Sequence, residues 1–204
     1  MPNIFVILKR LICGQMLGDT TNLRNLIKDT FKIEHYNRVL ELKKDVCIVV
    51  TDVTDKAEPC KYIYLSKTSY EDFCFYMWAS TCVPMVTSLA IKDGHEYVDG
   101  GVTDVVPVYK SMDDGCSSVD VYCYNVPEES RYRTKTKNVF HLAARSYNIM
   151  RNTISTNGYA SVRLEQRDME IKLKIYHPPY KLGANALVFD KNKMNEWYNL
   201  GYNS

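Results

Sequence analysis

The sequence has no long apolar segment and no excess of charge of either sign. No apolar run approaches the roughly 20 residues that a membrane-spanning helix needs. Lys9 and Arg10 interrupt the first apolar stretch and no convincing cleavage site follows, which argues against a secretory signal. The 26 basic and 24 acidic residues leave a net charge of +2, so no nucleic-acid surface is expected. We therefore expect a soluble, intracellular protein of the cytoplasm that binds no nucleic acid.

The cysteines lack the spacing of a metal site. None of the seven forms a C-x-x-C pair, and several stand in apolar runs. That pattern favours free thiols in a reducing compartment over a disulfide framework or a zinc site. The aspartates before Gly94 and Gly115 are isolated from a second carboxylate cluster and indicate turns. The sequence therefore predicts no metal and no cofactor.

There is also no linker, repeat or low-complexity tract in the 204 residues, of which 46% are hydrophobic. We expect an N-terminal segment, residues 1–17, that is a strand or a helix and whose role is open, and one α/β domain over residues 18–204. The apolar runs at 46–50 and 119–124 are typical of strands buried on both faces. Together they predict a mainly parallel sheet with helices on both faces.

Helical spacing and capping residues place the helices between these strands. Apolar residues from Leu23 to Phe31 follow a threonine, and Ser69 begins a capping box. A third helix is expected over residues 138–152, with its apolar side chains facing the core; these are Val139, Leu142, Ala143 and Ile149.

The most informative stretch runs from residue 76 to 108 and has Asp99-Gly100-Gly101 at its centre. A short alternating strand enters it, and glycines allow a turn that holds an aspartate at a site. An Asp-Gly-Gly sequence on its own is more often an ordinary tight turn. The surrounding residues decide between the two interpretations.

The whole stretch resembles the second half of a patatin-like acyl hydrolase, or phospholipase. The resemblance rests on Ala79-Ser80, Pro84, the hairpin-like Lys92-Asp93-Gly94, Tyr97 to Gly101, and Pro107. It covers about Gly18 to the C-terminus. In that family the aspartate of the Asp-Gly-Gly turn is the base of a Ser-Asp dyad, which implies a catalytic role for Asp99. Gly100, Gly101, Ser80 and Pro84 would support the motif.

The family's serine motif is missing. No G-x-S-x-G occurs, and no glycine-rich run could form an oxyanion hole. Gly14 and Gly18 have the elbow spacing, but Met16 stands at the nucleophile position and cannot attack an ester. The family's first elements would lie upstream of Met1, as in a domain truncated on its N-terminal side. We therefore expect either a lipid acyl hydrolase portion that is inactive alone, or a non-catalytic binding or structural protein.

Two other side chains could act as nucleophiles, Ser80 and Cys82. Ser80 lacks a flanking elbow, and Cys82 is flanked by apolar residues, so both are expected to be structural. Implied partners are a lipid or acyl-ester substrate and a second chain that supplies the serine elbow. A sheet edge left less covered favours a homo-oligomer, and peripheral contact with a membrane is also expected from the resemblance.

Overall fold

A computed structural model describes residues 20–84, 86–123, 135–136, 138–165, 171–178 and 190–202. Residues 1–17 and the Gly14–Gly18 spacing lie outside this part of the chain. The described elements are, in chain order, α1 Thr21–Thr30, α2 Ile33–Glu41, β1 Cys47–Asp52, β2 Cys60–Tyr64, α3 Tyr70–Ala79, β3 Ala90–Lys92, β4 His95–Asp99, α4 Val108–Asp113, β5 Ser118–Tyr122, α5 Val139–Glu165, β6 Lys172–Tyr176 and α6 Lys191–Tyr202. No helix among them combines the length and apolar character needed to cross a bilayer.

The larger sheet has the strand order β2-β1-β4-β3, and all three pairings are antiparallel. The chain mixes helices and sheets, as an α/β protein does, but the prediction of a mainly parallel sheet is wrong for the described residues. Short connections account for two of these pairings, β1 with β2 and β3 with β4. Residues 53–59 join β1 to β2, and Asp93-Gly94 alone join β3 to β4, whereas a parallel crossover takes a dozen residues or more. Asp93 and Gly94 have φ values of 53° and 82°, as a tight hairpin turn requires.

The central strand β1 is nevertheless covered on both faces. On one face Val50 is fully buried in the main core, with Phe75, Trp78 and Ala79 of α3. On the other face the Thr51 hydroxyl contacts the Thr103 hydroxyl at 2.9 Å, in the segment that follows β4. This double covering accounts for the apolar run in β1 without a parallel sheet.

Helix α3 connects the sheet to α1. Its predicted cap is confirmed, since the Ser69 hydroxyl accepts a hydrogen bond of 3.2 Å from the Asp72 amide. Trp78 donates its indole N–H to the Thr20 hydroxyl at 2.9 Å and so joins α3 to the start of α1. Burial of a side chain such as Phe73, which is 1% exposed, contributes about 1.5–3 kcal/mol to stability.

The smaller sheet is the parallel pair β5-β6, whose connection contains α5. The expectation that β5 is buried on both faces is wrong, because only Val121 is buried, while Asp120 and Tyr122 are exposed. The inward face predicted for α5 is also wrong at three positions. Val139 is 77% exposed, Leu142 is 53% exposed and Ile149 is 56% exposed.

Candidate functional site

Asp99 is the last residue of β4 and the N-cap of a 3-10 turn over Gly100–Val102. Its Oδ1 accepts a hydrogen bond of 2.8 Å from the Gly101 amide. Its own amide donates to the Cys82 carbonyl at 2.8 Å, and its carbonyl accepts from the Thr51 hydroxyl at 3.1 Å. The residue is therefore fixed through its backbone and through one carboxylate oxygen. The second oxygen, Oδ2, forms no hydrogen bond with the residues that the structure describes.

Gly100 is required at the turn because β1 lies directly against it. A Cβ at this position would be 2.3 Å from the Val49 carbonyl oxygen and 2.5 Å from its carbon. Both are backbone atoms of a central strand and cannot move aside cheaply. The turn therefore needs glycine for close approach. Positive φ angles occur elsewhere among the described glycines, at Gly94 and Gly115.

An open depression of about 360 Å³ lies beside this turn. It brings together Asp99, Gly100, Gly101 and Ser80 from the sequence-derived set; Pro84 is not among the described residues that line it. The remaining lining residues are Cys47, Ile48, Val49, Asp104, Val105, Pro107 and Arg151. The Asp104 carboxylate accepts hydrogen bonds from the Tyr62 hydroxyl at 2.7 Å and from the Val106 amide at 3.2 Å. Two carboxylates line the depression, and both oxygens of Asp104 accept hydrogen bonds. Asp99 is therefore the one with an oxygen that accepts no hydrogen bond from the residues the structure describes.

Ser80 has a structural role in this geometry. It is the C-cap of α3, and its hydroxyl donates to the Val49 carbonyl at 2.9 Å. A nucleophilic serine of this class stands on a strand-to-helix elbow, before a helix begins. Ser80 stands where a helix ends, so it lacks the strained turn and the helix N-terminus that the chemistry uses.

The thiol of Cys82 is equally unsuited to attack an ester. The residue is 1% exposed, and its sulfur donates to the Trp78 carbonyl at 3.5 Å. Burial raises the pKa of Cys82 to about 11, and the nearby Asp99 carboxylate also raises it. Because the thiolate is the reactive form, this side chain is a small core hydrophobe at neutral pH.

His95 lies at the opposite end of β4 from Asp99. Its Nδ1 is 2.7 Å from Asp52 Oδ2, and the Thr54 hydroxyl is 3.2 Å from the same nitrogen. None of these residues lines the depression beside Asp99. The Asp52–His95 pair joins the end of β1 to the start of β4 and takes no part in the candidate site.

Helix α5 adds Arg151 to the site, a residue that sequence reasoning missed. The Arg151 Nε lies 3.4 Å from the position that a Cβ on Gly101 would take. Tyr147 stands one turn earlier on α5; burial raises the pKa of its hydroxyl, as does the Asp99 carboxylate, while Arg151 lowers it. Arg151 therefore faces the Asp-Gly-Gly turn and lines the depression. A Tyr-x-x-x-Arg spacing some 50 residues downstream of Asp99 carries no local signal of this contact.

The buried hydroxyl of Tyr147 has no hydrogen-bond partner among the described residues. A buried polar group in that state destabilises the folded chain by about 1–3 kcal/mol. We expect Tyr147→Phe to raise the free energy of unfolding by about 1 kcal/mol, since phenylalanine keeps the ring and removes the hydroxyl. Urea unfolding of the two proteins measures the change. A loss of stability would show that the hydroxyl is paired.

A sequence model of the patatin-like phospholipase family matches residues 3–110. The match includes the Asp99-Gly100-Gly101 turn together with Ser80 and Pro84. It begins inside the N-terminal segment and ends within α4. No curated protein matches the chain. Since the matched region exceeds half of the 204 residues, the chain belongs to the patatin-like phospholipase family.

Proposed function

We propose that this chain is the aspartate-bearing portion of a patatin-like lipid acyl hydrolase, in which Asp99 is the general base of a Ser-Asp dyad. The observation that carries the proposal is the state of the Asp99 carboxylate. One oxygen is held by the Gly101 amide, and the other has no hydrogen-bond partner among the described residues, at the side of an open depression. A base needs a fixed orientation together with an oxygen free to accept a proton.

In the proposed reaction a serine hydroxyl attacks the carbonyl carbon of an acyl ester. Asp99 Oδ2 accepts the hydroxyl proton as the Oγ–C bond forms, and the carbonyl oxygen becomes an oxyanion. Collapse of the tetrahedral intermediate breaks the ester C–O bond, and the proton on Asp99 passes to the leaving alcohol. Water then attacks the acyl-serine and gives its proton to Asp99. When the acyl C–Oγ bond breaks, that proton passes from Asp99 to the serine Oγ, and the fatty acid is released.

The serine and the oxyanion donors must come from a different polypeptide segment. The sequence contains no G-x-S-x-G and no glycine-rich run, and the fixed Gly101 amide already donates to Asp99. We propose that a second chain supplies them by associating beside the depression. The bond from Gly101 would keep Asp99 in place before that association, so that the base is preorganised.

The isolated chain is expected to hydrolyse a short acyl ester, such as p-nitrophenyl butyrate, only at the background rate. Neither nearby candidate nucleophile stands on a strand-to-helix elbow. The Ser80 hydroxyl donates to the Val49 carbonyl, and the Cys82 thiol is buried. Addition of a polypeptide with the family's glycine-rich loop and G-x-S-x-G elbow is expected to produce turnover. Robust hydrolysis by the chain alone would contradict the proposal.

A non-catalytic binding or structural protein of the same family is the second candidate. The observation in its favour is that Gly14 and Gly18 have the spacing of a nucleophile elbow, but Met16 stands between them and cannot attack an ester. The two candidates differ in one respect that genomic DNA can show. A G-x-S-x-G sequence encoded next to this chain, in any frame, favours the hydrolase. If no added serine elbow restores turnover, the non-catalytic candidate is correct.

A further inference from the structure

We propose that the outer edge of β6 is a docking site for an extended acidic segment of a partner protein, which joins the pair β5-β6 as a third strand. The outer edge is the side of β6 that faces away from β5. Among the described residues β6 pairs with β5 alone, so this side has no hydrogen-bonded neighbour there. Such an edge presents backbone donors and acceptors to an incoming strand. The inference is independent of the proposed function, because β6 contributes no residue to the depression beside Asp99.

The hydrogen bonds of the pair identify the backbone groups that point outward. The Lys172 amide donates to a residue just before β5 at 3.0 Å, and the Tyr176 carbonyl accepts from a residue just after β5 at 2.9 Å. In a parallel ladder the residues that bond to one neighbour alternate along the strand. The N–H and C=O groups of Leu173 and Ile175 therefore point to the outer edge, where they can bond to a third strand.

The solvent-facing side chains of β6 favour acidic residues in the incoming strand. Lys172 and Lys174 are both exposed, and neither forms an ion pair within 4.0 Å with a described residue. The acidic residue of β5 on this face is Asp120, which lies opposite Lys174. The face thus carries two positive charges and one negative charge. Because opposite charges on neighbouring strands attract, acidic residues at alternate positions of a third strand would be stabilised beside the two lysines.

The remaining side chains of β6 define the other positions of the partner. Leu173 and Ile175 are partly buried against the small core cluster that contains Met112, so their neighbours in a third strand would be apolar. Tyr176 stacks on Tyr122, with ring centroids 4.8 Å apart and 10° between the rings. That distance matches the spacing of about 4.8 Å between neighbouring strands, so an aromatic residue of the third strand can extend the stack. The partner pattern is therefore acidic-apolar-acidic-apolar-aromatic.

The first test measures the binding of fluorescein-labelled peptides to the whole chain by fluorescence anisotropy. One peptide, SEVEVYS, has the alternating pattern, and its control, SEEVVYS, has the same composition without the alternation. We expect the alternating peptide to bind at least about 10-fold more tightly, because only alternation directs both carboxylates to the face that carries the lysines. Equal binding of the two peptides would overturn the inference.

Reversal of the charges on β6 tests the side-chain contacts. The double variant Lys172→Glu with Lys174→Glu is expected to weaken binding of the alternating peptide by about 10-fold or more, because like charges on neighbouring strands repel. The control is Lys191→Glu with Lys193→Glu, which makes the same change of charge at exposed positions of α6 and is expected to leave binding unchanged. Undiminished binding by the β6 variant would contradict the assignment of the lysines.

Leu173→Pro tests the backbone contacts. Proline removes the outward N–H of residue 173 and leaves the amides of Lys172 and Lys174 free to bond to β5, as is tolerated at a strand edge. We expect this variant to lose binding while far-ultraviolet circular dichroism shows a folded chain. Leu173→Ala loses the same packing but keeps the N–H, and is expected to bind within about 3-fold of the wild type. Equal binding by the two variants would show that no third strand forms.

A second copy of this chain is the alternative occupant of the edge. A twofold pairing of two β6 edges centred on Lys174 would place that lysine opposite its own copy, which is destabilising. Sedimentation equilibrium of the chain without peptide tests this alternative. We expect no association through β6. A dimer that Leu173→Pro dissociates would assign the edge to a second copy and overturn the acidic partner.

Discussion

Gly100→Ala is expected to destabilise the chain by about 2–4 kcal/mol, a large share of the roughly 5–15 kcal/mol that holds a typical domain folded. The added Cβ would lie 2.3 Å from the Val49 carbonyl oxygen and 2.7 Å from the Val49 Cβ. Relief of that overlap requires β1 and the 3-10 turn to separate. Separation breaks the contact that positions Asp99, so the candidate site is lost together with the stability. Urea unfolding of the wild type and the variant measures the effect.

Gly201→Ala is the matched control for this prediction. A Cβ at Gly201, which lies within α6, would meet no atom within 4 Å. Alanine favours a helix over glycine by about 0.5–1 kcal/mol, so this variant is expected to be neutral or slightly more stable. If Gly100→Ala is as stable as Gly201→Ala, then Gly100 does not lie against β1 and the close approach of the turn to Val49 is incorrect.

The hairpin and the position of Asp99 could be predicted from local residues. Asp93-Gly94 is a strong two-residue turn signal, and the alternating residues that follow identify β4 up to Asp99. Such features depend on a few neighbouring residues, so the local sequence is sufficient to predict them. The membership of the family was predictable for the same reason, because the residues that resemble it stand close together in the sequence, over residues 76–108.

The direction of the strands could not be predicted from the same evidence. The apolar run in β1 indicates that both faces are covered, and this is so: Val50 lies under α3, while Thr51 contacts Thr103 on the other side. Covering by a helix on each face of a parallel sheet is one way to meet that requirement. In an antiparallel sheet, the segment that follows β4 can cover the second face of β1 equally well. The connection lengths were the better guide, since seven residues cannot form a parallel crossover.

The contribution of α5 to the site was beyond sequence reasoning. Arg151 reaches the Asp-Gly-Gly turn through tertiary packing. The apolar periodicity of the helix indicated a different face. Leu142 and Ile149, expected in the core, are 53% and 56% exposed. A hydrophobic pattern states which residues can be buried, but the partner surface decides which of them are. Nothing in the sequence of α5 indicates that Arg151 lies beside Asp99, because the three-dimensional fold brings the two residues together.

The second large effect is expected at Asp99. In an enzyme completed by a serine elbow, Asp99→Asn should lower the turnover of an acyl ester by roughly 10²–10⁴-fold, the range typical for loss of a general base. Asparagine keeps an oxygen that can accept the 2.8 Å hydrogen bond from the Gly101 amide, so the 3-10 turn and the fold are retained. What it loses is the oxygen that accepts the serine proton. Asp120→Asn removes the same charge at an exposed position of β5 and is expected to change turnover little.

The most direct measurement is therefore the turnover of a soluble acyl ester by the completed enzyme in three forms, the wild type, Asp99→Asn and Asp120→Asn, with the unfolding midpoint of each measured in parallel. We predict that the three proteins unfold at similar denaturant concentrations, and that only Asp99→Asn falls toward the background rate. Undiminished turnover in Asp99→Asn, with the protein folded and the serine elbow present, would contradict the assignment of Asp99 as the base.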